Sequence, residues 1–143
     1  MSEIEKQQMT FDIRSEWLSH TTSVSYCKNA KIELDTNLVG SQSAFNPAEL
    51  LLAALSACMI KGIERVAPIL KFEFRGVEVK LHGIRQDVPP KMESIQYEII
   101  VDTDESESRL ELLHKNIKQY GTVFNTVAPG AILNGKISKS PNL

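Results

Sequence analysis

Cys58 lies in the run FNPAELLLAALSACM, residues 45–59, where nearly every neighbour is apolar. A thiol in such a place is either a small core hydrophobe, as free cysteine commonly is, or a nucleophile acting as its thiolate. Cys58 stands about three turns into the helix that this run predicts, beyond most of the reach of the helix dipole. Thiolate chemistry there therefore calls for a neighbouring cation, and Arg14, His20 and Arg85 are the candidates. Glu49 suits a helix start, and a second role at the thiol site stays open. Cys27, beside the turn KNA, reads as structural. His82 and His114 fall on polar faces, and with no further histidine or cysteine at ligand spacing no metal site is expected. Trp17, Tyr120 and Phe124 read as core or interface packing.

The elements that must hold these residues follow from periodicity. In residues 10–36 the stretches TFDIRSEWL, SVSYC and AKIELD alternate apolar and polar positions, which predicts a meander of three antiparallel strands. TNLVGSQSAF has loop composition and links this sheet to the helix. Asn46 supplies an N-cap, Pro47 takes the first helical position, and Glu49 stands three after the cap. The central helix is expected over residues 46–67, because Pro68 breaks the hydrogen-bond ladder. Its apolar residues point in almost every direction, so a single sheet covers only one side and other helices or a second subunit must cover the rest.

A strand hairpin is predicted within residues 72–103, from the alternation in FEFRGVEVKLHGI and ESIQYEIIVDT around the loop RQDVPPK. Helices and a strand are predicted over residues 107–138: SESRLELLHKNIKQY is amphipathic and ends at Gly121, TVFNTVAPG is irregular or helical, and AILNGKIS is a last strand. The expected class is α+β, in one domain spanning residues 1–143.

Composition narrows function by exclusion. The formal net charge is −2 and the lysines are scattered, which argues against a nucleic-acid partner. The apolar run of the central helix is broken by Ser56 and followed by Lys61, Glu64 and Arg65, so no membrane span is expected. The N-terminal MSEIEKQQMTFD lacks the basic start and apolar core of a secretory signal, which points to the cytoplasm. Two cysteines far apart in sequence are expected to be thiols. No phosphate loop, nucleotide motif or general-base constellation stands out, and no cofactor is expected.

NPAELLLAALSACM and HGIRQDVPPKMESIQYEIIV together resemble the OsmC-like family, which includes the organic hydroperoxide resistance proteins. The first matches that family's asparagine-proline-opened helix bearing a cysteine, the second its hairpin, and the element order agrees from about Thr10 to Ser138. The resemblance implies an intertwined homodimer, with a curved sheet around a buried central helix in the order β3-α-β2-α-α-β. It implies oxidative-stress defence by reduction of organic hydroperoxides. A cysteine thiolate, matched by Cys58, attacks the peroxide and becomes a sulfenic acid, which a second cysteine resolves as a disulfide for reduction by a cellular dithiol.

Three positions depart from the pattern. Gly121 and Thr122 stand where the second cysteine belongs. The family's glutamate falls at Ala48, with Glu49 one step later, and its N-terminal arginine falls near His20, with Arg14 earlier. Cys58, with Glu49 and Arg14 as companions, is accordingly the expected catalytic set. Two functions follow: a peroxiredoxin-like hydroperoxide reductase using Cys58 alone and an external thiol or dithiol, or a non-redox protein holding a small apolar ligand at the dimer interface.

Overall fold

The structure, a computed structural model, describes residues 8–141. Most of the N-terminal segment read for a secretory signal lies outside them. The element order is β1 (Arg14–Trp17), β2 (Thr22–Cys27), β3 (Ala30–Asp35), α1 (Pro47–Leu70), β4 (Gly76–Asp87), β5 (Pro90–Asp102), α2 (Glu107–Tyr120), α3 (Thr122–Val127) and β6 (Ile132–Lys139). This is the expected α+β order. The strands form two three-stranded sheets, β1-β2-β3 and β4-β5-β6. The chain divides into two compact units, one ending at Leu50 and the other beginning at Leu51.

In the first unit the meander is antiparallel, with Arg14 opposite Tyr26 and Cys27 opposite Ala30 across a two-residue turn. Lys28 takes the left-handed conformation there, at φ 56°. All four residues of β1 are exposed. The loop after β3 is tied down by a buried carboxylate: Asp35 accepts hydrogen bonds from the Asn37 N–H at 2.9 Å and the Ser41 N–H at 2.7 Å. A charge-assisted bond of this kind is stronger than a neutral one, so this glycine-bearing segment has a defined course.

The start of α1 is a reciprocal capping box. Asn46 Oδ1 accepts the Glu49 N–H at 2.8 Å, and the Glu49 carboxylate accepts the Asn46 N–H at 2.9 Å. The helix outlasts its expected end by three residues, with Pro68 inside its last turn. Lys71 at φ 53° turns the chain, so that its own N–H reaches the Pro68 carbonyl at 3.3 Å and the Phe72 N–H reaches the Ala67 carbonyl at 2.8 Å. That closure satisfies the final carbonyls of the helix. It also takes Phe72 out of strand geometry. The Glu73 N–H is bound by the Glu105 carboxylate and the Arg75 N–H by the Asp102 carbonyl, so β4 begins at Gly76 and not at residue 72.

Within the second unit β5 is the middle strand, antiparallel to β4 and parallel to β6. The parallel pair needs a crossover, and α2 and α3 supply it. Ile95, Tyr97, Ile99 and Val101 alternate onto one face of β5. They join Leu55, Met59, Ile63 and Val66 of α1, and Leu110, Leu113 and Ile117 of α2, in one core. On α1 the fully buried positions make one stripe, from Leu55 to Ala67. The side away from that stripe centres on the exposed Ala54 and Ala57, and Leu51 and Ile60, at its two edges, are about two-fifths exposed.

α2 begins at a Ser106 cap, whose hydroxyl accepts the Arg109 N–H at 3.3 Å. His114 departs from its expected polar face. It falls one turn after Leu110 on the buried stripe and is 5% exposed, where the Tyr97 hydroxyl meets its Nε2 at 2.6 Å. A buried imidazole is tolerable because that partner satisfies it. His82 is exposed, as expected. Of the three aromatics read as packing, Phe124 is buried, while Trp17 and Tyr120 are 67% and 54% exposed.

Candidate functional site around Cys58

Cys58 is half-buried on α1, between the fully buried Leu55 and Met59 and the more open Ala57 and Ile60. The turn between α2 and α3 comes down on its sulfur. A β-carbon placed on Gly121 would stand 3.2 Å from Cys58 Sγ, 3.1 Å from the Phe124 β-carbon and 3.3 Å from the Ile117 carbonyl oxygen. Gly121 ends α2 as expected, but in extended geometry, at φ −80° and ψ 119°. Close approach, and not left-handed backbone, is what favours glycine there. The position that the sequence reading marks for a second cysteine is thus brought into contact with Cys58 and lacks a side chain.

The other residues expected at the site have partners of their own. Glu49 completes the capping box with Asn46. Glu49 belongs to the first unit and Cys58, nine residues on, to the second. Arg14 pairs with Glu16 at 3.1 Å and lies over the Tyr26 ring at 4.5 Å, in the first unit. His20 packs edge-on against Trp17, and Arg85 binds Asp87 at 2.7 Å. Cys27 is half-buried at the end of β2.

A cation that the sequence reading passed over reaches the turn instead. Arg65 Nη1 donates to the Tyr120 carbonyl, the group just before Gly121, at 3.3 Å. The signal was present as spacing: Arg65 follows Cys58 by seven residues, two turns on the same side of the helix.

Behind the turn stands the buried Tyr97–His114 pair, and Tyr97 meets Phe124 edge to face at 6.1 Å. Burial pushes the Tyr97 hydroxyl up to about 12. Burial also holds His114 below its ordinary value, with Lys118 adding to that and Glu111 opposing it. The pair is therefore a neutral hydroxyl and a neutral imidazole joined by one hydrogen bond, with the donor set by the tautomer of His114. Gly135 of β6 lies against the Tyr97 ring with no room for a β-carbon. Among the described residues no group of three or more histidine, cysteine or acidic side chains is placed to hold a metal ion. No described helix is long and apolar enough to cross a membrane.

This two-sheet α+β fold is shared by a group of solved structures. An OsmC-like protein from Mycoplasma pneumoniae superposes with a TM-score of 0.86 at 16% identity, covering 93% of this chain and 99% of its own. An organic hydroperoxide resistance protein OsmC from Legionella pneumophila gives 0.71 at 18% identity, over 93% and 99%. One from Elizabethkingia anophelis gives 0.71 at 14% identity, over 94% and 99%. At these identities the likeness is one of fold. No match is found among curated proteins. The model of the OsmC-like protein family matches residues 40–134, most of the chain, and the chain belongs to that family.

Proposed function

We propose that this protein is a thiol-dependent reductase of organic hydroperoxides, acting in oxidative-stress defence through Cys58 alone. The reading is supported above all by one observation: Cys58 is half-buried on an apolar stretch of α1, under a turn whose Gly121 offers it no thiol. The thiolate sulfur attacks one peroxide oxygen and the O–O bond breaks. The alkoxide leaves with a proton as the alcohol, and sulfur keeps the other oxygen as a sulfenic acid. An external thiol condenses with it, releasing water and forming a mixed disulfide. A second thiol equivalent then releases Cys58 and carries away the disulfide. Glu49 and Arg14, the companions expected from sequence, are engaged by Asn46 and Glu16, and the chemistry is assigned to Cys58 alone. The protein is read as a cytoplasmic homodimer.

That engagement of Glu49 and Arg14 is also what favours a second reading, a non-redox member of the fold that holds a small apolar ligand beside Cys58. One experiment separates the two. Stoichiometric cumene hydroperoxide should add one oxygen to the Cys58 peptide, trapped by a sulfenic-acid reagent, and excess should carry it to the sulfinic acid. A Cys58 that stays a free thiol through both treatments leaves the ligand-binding reading.

A further inference from the structure

We infer that Arg65 is the cation that favours the Cys58 thiolate, by offsetting the carbonyl end of α2, which runs into the Gly121 turn beside the sulfur. The inference rests on the reading of Cys58 as a thiol that reacts as its anion.

The last turn of α2 creates the need for such a group. A β-carbon on Gly121 would stand 3.2 Å from Cys58 Sγ, so the turn that closes α2 lies beside the sulfur, and the C-terminal end of a helix carries roughly half a negative charge on its last carbonyls. An anion at Cys58 would face that charge, about three turns from the favourable N-terminus of its own helix. Arg65 is placed to answer both problems. Its guanidinium donates to the Tyr120 carbonyl, one of those last carbonyls, and it makes no ion pair with any described residue.

Its placement on α1 follows from helix geometry. Seven residues turn the helix through about 700°, within ~20° of the direction of Cys58, and advance it by about 10.5 Å. Side chains on a helix lean toward its N-terminus, so Arg65 leans toward the sulfur. The remaining charged residues of the second half of α1 and of the end of α2 are Lys61, Glu64 and Lys118, and α3 carries none. Arg65 alone among them is fixed on the turn by a hydrogen bond.

The test is alkylation of Cys58 by iodoacetamide, an uncharged reagent, followed at the Cys58 peptide by mass spectrometry. In Arg65→Gln the pH profile should move to higher pH, and the rate at pH 7 should fall roughly threefold, as expected for a partly screened charge at this range. Arg65→Lys should restore most of the rate, and Lys61→Gln should change it much less. Added salt should slow the wild-type reaction and narrow its gap to Arg65→Gln. If Arg65→Gln melts earlier but keeps the wild-type profile, Arg65 only secures the end of α2, and the inference fails. It fails equally if Lys61→Gln moves the profile as far. Should Arg65→Gln not fold, a wild-type rate indifferent to salt overturns the inference, and a rate that falls with salt upholds it. No peroxide enters this measurement, so an Arg65-dependent Cys58 that cumene hydroperoxide leaves unoxidised refutes the reductase reading and not this one.

Discussion

At the scale of single residues, the contact between Gly121 and Cys58 sets what the site can do. With no side chain at residue 121, the position that lies beside Cys58 supplies no second thiol. Gly121→Cys changes that. An S–S bond is about 2.04 Å long and its β-carbons sit roughly 3.5–4.5 Å apart, so a β-carbon 3.2 Å from Cys58 Sγ is within bonding reach of it. The backbone at φ −80° and ψ 119° accepts any L residue. We predict that Gly121→Cys forms a disulfide with Cys58 under mild oxidation, read as a cross-linked peptide pair and as loss of alkylation at Cys58. In the chain-entropy account, closing a loop of roughly sixty residues stabilises by about 4 kcal/mol. The 3.1 Å approach to the Phe124 β-carbon reduces that gain, because Phe124 must shift by a few tenths of an ångström. A Cys58 that still alkylates fully in oxidised Gly121→Cys would show that the turn does not hold this approach.

At the scale of elements, the Tyr97–His114 hydrogen bond ties the middle strand of the sheet to the helix that ends at the Cys58 turn. Its pH dependence has a definite sign. Burial lowers His114 from 6.5, so as the pH falls below that value the unfolded chain takes up a proton that the folded chain refuses. The unfolded state binds more protons in that window, and stability drops with pH. At the alkaline end the sign reverses: Tyr97 keeps its proton to about 12 when folded against an ordinary 10, and stability is lost as pH rises through that interval. We predict that the melting temperature falls between pH 7 and 5, and falls less in His114→Gln, whose amide can still accept from the Tyr97 hydroxyl. Parallel melting curves for the two proteins across that range would remove His114 from the account.

At the scale of the whole molecule, the open side of α1 is the feature a single chain leaves unexplained. Ala54 and Ala57 are exposed there, and Leu51 and Ile60, at its two edges, are 40% and 41% exposed. Burying a large aliphatic side chain is worth about 1.5–3 kcal/mol, so a surface of this kind on a long helix favours association. We predict a homodimer that buries this face, measured as twice the chain mass by light scattering at micromolar concentration and weakened by Ile60→Glu. A single-chain mass at that concentration would overturn it.

Element order was legible in the sequence because its determinants are local. Alternation marked the strands, the Asn46, Pro47 and Glu49 series marked the start of α1, and Gly121 marked the end of α2. Where local signals misled, a distant partner was responsible. Phe72 leaves the strand pattern to close α1 on the Ala67 carbonyl, and His114 leaves its expected polar face because Tyr97, seventeen residues earlier, satisfies it in the core. The thiol was legible as a candidate from its place in an apolar run. Of what stands beside it, Gly121 was marked as a neighbour only through the family resemblance, and the reach of Arg65 to Tyr120 was not legible, because each contact joins residues more than fifty positions apart. Contacts of that separation leave no periodicity in the chain, and only packing of α1 against the turn between α2 and α3 decides them.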